Sequence, residues 1–118
     1  HDYRRVERLD PAKINLEEIL HHEHPIVITH PRSGRKSLFI SRLISMSIVG
    51  MEHSESEDIL NELADIAEEP SNVYEHQWEV GDLVIWDNWA SIHARKDFPR
   101  DQQRLMRRLV IMGQPLST

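Results

Sequence analysis

Between Pro25 and Ile40 the chain reads PIVITH, then PRSG, then RKSLFI, and this succession constrains the fold more than any other feature. β-branched and aromatic side chains suit a pleated surface. Proline presets one turn torsion and glycine accepts positive φ, so the stretch is expected to form a β-hairpin. A second hairpin is expected from NVYEHQW, the turn residues Val80-Gly81-Asp82, and LVIW. A further strand is expected in RLMRRLVIMG, over roughly residues 104–112. Between the hairpins, SESEDILNELADIAEEP predicts an amphipathic helix. Ser54 and Glu57 have capping-box spacing, Ile59, Leu60, Leu63 and Ile66 follow the helical period, and Pro70 stops the run. The outward face of that helix is acidic and expected to be solvated. Near the start, NLEEILHHEHP predicts a short helix capped by Asn15, with Glu18 three residues on and Pro25 preventing continuation.

Short strands in hairpins with one helix between them imply a mainly β fold, an antiparallel sandwich or a jelly roll (double-stranded β-helix). The 118 residues fit one domain and leave no room for two. They also hold too few strands for a complete jelly roll of roughly eight strands. The chain opens on His1 with neither an apolar h-region nor a small-residue cleavage site. It is therefore read as beginning within a longer protein, with residues 1–118 forming a single partial domain. Alone, such a piece would leave strand edges and half a core uncovered. Phe39, Tyr74 and Trp78 are expected in the core, and His30 and His76 at packing or surface positions.

The charge balance restricts partners. Twenty acidic residues against 14 basic ones give a net charge of −6, which argues against nucleic-acid binding, since phosphate contacts need clustered Lys and Arg. The basic residues are concentrated in residues 32–42 and 95–108, so local binding of small anions stays open. No run approaches the roughly 20 apolar residues that span a bilayer, and a soluble, cytoplasmic protein is expected. With no cysteine, thiol nucleophiles, disulfides and zinc fingers are excluded, and a metal would have to use His, Asp or Glu.

The chemistry concentrates in GDLVIWDNWASIHARKDFPRDQQRLMRRLVIMG. His93 follows a strand and a polar Trp86-Asp87-Asn88 corner, and precedes a strand rich in arginine. Strand residues two apart share a face, so Arg104, Met106 and Arg108 point one way, and Leu105, Arg107 and Leu109 the other. Two guanidinium groups on an inward face are costly unless anions meet them, and their forked donors match carboxylates bidentately. A neutral imidazole nearby suits iron, zinc or manganese. His53-Ser54-Glu55 has the spacing of a metal motif, but Ser54 is better explained as a helix cap; the cluster His21-His22-Glu23-His24 is better explained as a solvated loop.

From about His24 to Gly113 the chain resembles the C-terminal half of the taurine dioxygenase and 2,4-dichlorophenoxyacetate dioxygenase family. The resemblance rests on HPIVITHPRSGRKSLFI, ESEDILNEL, GDLVIWDN, the distal His93 and RLMRRLVIMG, in that order. It implies a jelly roll that holds Fe(II) by two histidines and a carboxylate, with 2-oxoglutarate as cosubstrate. On this resemblance His93 is the second histidine ligand. Arg104, eleven residues further on, pairs with the distal carboxylate of 2-oxoglutarate, and Arg108, fifteen residues after His93, meets an acidic group of the substrate or assists the cosubstrate. Trp86, Asp87 and Asn88 lie beside the metal and shape the pocket.

The implied activity is oxidation, typically hydroxylation, of a small anionic organic molecule, with 2-oxoglutarate converted to succinate and CO2. Trp89 stands where the family usually has arginine, and so does Ile28. The His-x-Asp motif with the other two iron ligands, and a threonine that helps bind 2-oxoglutarate, belong to the family's N-terminal half. That half of the same protein is the expected partner, and homo-oligomers stay possible. Two other readings remain: a non-catalytic jelly-roll binding module without the metal motif, and an aliphatic halogenase of the same fold.

Overall fold

In the computed structural model of the chain, residues 8–113 are described. The expected first hairpin forms. Strand β1 (Val27–Thr29) pairs antiparallel with β2 (Lys36–Leu38), with Val27 opposite Leu38, Ile28 opposite Ser37 and Thr29 opposite Lys36. The His30 N–H donates to the Arg35 carbonyl at 2.8 Å and the Gly34 N–H to the His30 carbonyl at 2.9 Å, closing the loop. Gly34 has φ of 68°, a conformation that costs a β-carbon-bearing residue more than it costs glycine. Ile28, where the family usually carries arginine, is fully buried.

Helix α1 (His53–Ala67) also forms, but its cap lies two residues upstream of the Ser54 that the capping-box pattern suggests. The Glu52 carboxylate accepts from the Ser54 N–H at 2.8 Å and the Glu55 N–H at 3.3 Å, and the Ser54 hydroxyl donates to the same oxygen. A longer acidic side chain thus takes the orphan amides, aided by the positive end of the helix dipole. The inward stripe is Ser56, Leu60 and Ala64, one turn apart each, whereas Ile66 is half exposed. Leu60 and Ala64 form the core with Ile40, and Ile26, Ile48 and Leu63 pack around it. The Ser56 hydroxyl, fully buried, accepts from the Ile48 N–H at 2.7 Å, so the polar atom in the stripe serves the loop before the helix.

The acidic face of α1 is not merely solvated. Arg42 is buried, and its Nε donates to both carboxylate oxygens of Glu68 at 3.0 and 2.9 Å while Nη2 reaches Asp65. Two acids thus compensate one buried guanidinium and fasten the last turns of α1 to the segment after β2. The expected N-terminal helix is reduced to a 3-10 turn, Leu16–Glu18. Asn15 accepts from the Glu17 N–H at 3.2 Å, but its amide also holds Glu18 at 2.8 Å, and the backbone is extended again by Ile19. So short a segment cannot recover the cost of helix nucleation without packing.

After residue 72 the expected strands do not pair. The turn forms, with the Asp82 N–H donating to the Glu79 carbonyl at 3.2 Å, the Glu79 N–H to Asp82 Oδ2 at 2.9 Å, and Gly81 at φ 99°. No ladder follows from it, and β1 and β2 make the one sheet among the described residues. The jelly roll expected from the sequence is thus present only as one hairpin and one helix, because a strand exists only when another backbone takes its N–H and C=O groups. Tyr74 and Trp78, expected in the core, are 84% and 46% exposed, since no layer covers them. Phe39 is half-buried and meets His24 edge to face, with ring centroids 4.7 Å apart.

Candidate active site

The Trp86-Asp87-Asn88 corner is built by local hydrogen bonds around one aspartate. Asp87 Oδ1 accepts from the Trp89 N–H at 2.9 Å, and its carbonyl accepts from the Ala90 N–H at 3.2 Å and the Ser91 hydroxyl at 2.6 Å. The side chain of an Asx residue closing a turn on its own backbone is the expected behaviour of aspartate here. Its second oxygen accepts from His30 Nε2, across from the hairpin, at 2.8 Å. The bond from His30, followed by that from Trp89, holds the Asp87 carboxyl below the usual carboxylate range. Trp86 donates its indole N–H to Asn88 Oδ1 at 2.8 Å, which fixes the ring in the corner.

That ring is where two of the predicted site residues, His93 and Arg108, meet. The His93 imidazole lies against it with centroids 4.9 Å apart and planes tilted by 49°. The Arg108 guanidinium stands over the same indole, 6.0 Å from its centroid. Arg104 instead stands over Phe98 at 5.9 Å, a ring that Arg95 also approaches at 5.4 Å. Cations on the negative face of an aromatic ring are mildly attracted, the more so as water is excluded. Along residues 104–109 the side chains alternate: Leu105 and Leu109 are 92% and 96% exposed, Met106 only 39%, and Arg104 and Arg108 turn toward the aromatics. Neither Arg104 nor Arg108 is paired with an acid among the described residues, so both forks are open to an anion.

His93 has no partner set for a metal. Among the described residues no group of three His, Cys, Asp or Glu side chains could hold an ion. Asp87 is engaged by His30, and His76 by Asp82 at 2.9 Å. His53 begins α1 rather than joining a metal cluster. These residues could give iron one imidazole and no more. Phe98, Arg95 and His30 escaped the sequence reading of the site: Phe98 and Arg95 lie in a loop without a motif, and His30 has the turn position of an ordinary surface residue.

The same order of hairpin, acidic helix, corner, histidine and arginine-rich segment defines the protein's class. A family model described as "Taurine catabolism dioxygenase TauD, TfdA family" matches residues 1–110, and the chain belongs to that family. It is 42% identical to the (S)-phenoxypropionate/alpha-ketoglutarate-dioxygenase of Sphingobium herbicidovorans, over 79% of this chain and 32% of that one. It is 38% identical to pentalenolactone F synthase of Streptomyces arenae over 74% and 29%, and 36% identical to an alkylsulfatase of Acinetobacter baylyi over 93% and 34%. The chain thus spans about a third of the length of these curated relatives. No solved structure matches it. The relatives include alpha-ketoglutarate-dependent dioxygenases. Among the described residues no helix is long and apolar enough to cross a membrane.

Proposed function

We propose that this chain is the C-terminal part of an Fe(II)- and 2-oxoglutarate-dependent dioxygenase acting on a small anionic organic molecule. In this reading residues 1–118 form one partial domain, which is completed by the N-terminal half of the same protein with its His-x-Asp motif. His93 gives iron one imidazole, Arg104 takes the distal carboxylate of 2-oxoglutarate, and Arg108 takes an acidic group of the substrate. The iron supplies the oxygen chemistry; the chain supplies position and charge. The observation that carries the reading is the pair of guanidinium groups without acid partners, one of them sharing the Trp86 ring with His93. Such open forks recognise carboxylates and sulfates far better than neutral molecules.

The relatives' names point to phenoxypropionate, 2,4-dichlorophenoxyacetate and sulfate esters as the first compounds to try. With the full-length protein, Fe(II), 2-oxoglutarate and O2, at least one such anion should raise succinate formation above the rate without substrate, and its neutral methyl ester or alcohol should not. Equal stimulation by the neutral analogue would remove the role given to Arg108.

A further inference from the structure

We infer that His30, at the tip of the β1–β2 hairpin, is a positioning residue that sets the Trp86-Asp87-Asn88 corner and, through the Trp86 ring, the imidazole of His93. The inference rests on the reading of His93 as an iron ligand. It starts from the two nitrogens of one ring. His30 Nδ1 accepts from two backbone donors, the Arg32 N–H at 3.3 Å and the Ser33 N–H at 3.1 Å. A nitrogen facing two N–H groups carries no proton of its own, so the proton sits on Nε2, which donates to Asp87 Oδ2 at 2.8 Å. The tautomer is thus assigned by the partners on both sides of the ring.

The side chain is only 13% exposed, while Asp87 is 54% exposed. The largely covered imidazole is the fixed element and the exposed aspartate the one that is held. The two residues are 57 positions apart, so this bond, not chain connectivity, fixes the corner to the hairpin. From Asp87 the constraint passes to the next residue, Trp86, whose indole is held by Asn88 and lies 4.9 Å from the His93 ring. Partners that orient a metal-binding imidazole from behind are commonly worth ~10–100-fold in metal affinity. His30 acts one step further back, through the corner.

Two substitutions separate the two halves of the ring. In His30→Asn the amide oxygen takes the place of Nδ1 and keeps the turn, but nothing reaches Asp87. In His30→Gln the amide nitrogen takes the place of Nε2 and reaches Asp87, but the turn loses its acceptor. In the full-length protein labelled with 13C at the histidine Cε1, the His93 resonance, identified by its loss in His93→Ala, reports its position beside the indole without any metal. The parent and His30→Gln should share one His93 shift, and His30→Asn should move it toward the value of a free imidazole and weaken Fe(II) binding about tenfold or more. An unmoved His93 resonance in His30→Asn would overturn the inference, as would equal displacement in both variants, which marks a turn role only. Should the parent itself fail to bind Fe(II), the iron reading of His93 falls, while the resonance still decides whether His30 sets that ring.

Discussion

The Trp86 indole lies against the His93 imidazole, ring centroids 4.9 Å apart, and the guanidinium of Arg108 stands over the same indole at 6.0 Å. One ring therefore supports both the proposed metal ligand and the proposed substrate anchor. Trp86→Ala should weaken Fe(II) binding and raise the KM for an anionic substrate together. Arg108→Ala should raise that KM alone, by about 10- to 100-fold, the range of a lost charge-assisted hydrogen bond. Calorimetric Fe(II) titration and steady-state kinetics of the full-length variants separate the two; a shift in Fe(II) affinity in Arg108→Ala would contradict the assignment.

Arg104 stands over Phe98 and has no acid partner among the described residues. Its removal should cost 2-oxoglutarate about ten- to a hundredfold in affinity, the worth of a hydrogen bond to a charged group. Arg104→Lys should recover part of this, since a single ammonium keeps the charge but not the fork. Equilibrium binding of 2-oxoglutarate to the full-length protein checks both. Unchanged affinity in Arg104→Ala would exclude the residue as the anchor.

Acid should loosen the head of α1. The Ser54 hydroxyl, then the Glu55 and Ser54 amides, hold the Glu52 carboxyl below its usual range. A carboxyl depressed in the folded state contributes stability that is complete above its unfolded pKa and is lost as pH falls through the folded one. The Glu52 contribution to the thermal midpoint should therefore be complete from neutral pH down to about pH 5 and fall away below the ordinary glutamate range near pH 4. Glu52→Gln should lose part of this acid dependence. Circular dichroism melts across that range would show it, and parallel curves for parent and variant would deny Glu52 the role.

Ser56 tests the core. Ser56→Ala removes almost no volume but leaves the Ile48 N–H without its 2.7 Å acceptor, so it should destabilise by about 1–3 kcal/mol, the cost of one buried orphan donor. Leu60→Ala, at 2% exposure, should cost about 2–5 kcal/mol through the cavity it leaves. Chemical denaturation of the full-length protein measures both, and a neutral Ser56→Ala would show that the amide finds water instead.

Local chemistry made part of this structure legible in advance. The β1–β2 hairpin and the helix were readable because proline, glycine, β-branched runs and the helical period act over a few residues. The cap of α1 was misplaced by two residues, since Ser54 and Glu57 fit a known spacing while the Glu52 carboxylate, long enough to reach two amides, fits none. The second hairpin was legible only as a turn: Asp82 and Gly81 act locally, but a ladder for residues 83–86 depends on a backbone elsewhere. Hydrophobicity alone favours Tyr74 and Trp78 in the core, but it says that a ring prefers cover and not that cover is at hand. At the site, the roles proposed for His93, Arg104 and Arg108 rest on spacing and resemblance. His30 carries no such local signal, because its partner lies 57 residues away.

On the proposed reading, His93 and Arg104 serve one active site, the first as an iron ligand and the second as the 2-oxoglutarate anchor. Anaerobic titration of the full-length protein with Fe(II) and 2-oxoglutarate tests it most directly, since the chelate gives a metal-to-ligand charge-transfer band. The band is expected in the parent, is lost in His93→Ala, and appears only at higher 2-oxoglutarate concentration in Arg104→Ala. Absence of the band in the intact parent, or its persistence unchanged in His93→Ala, would contradict the iron-ligand role of His93.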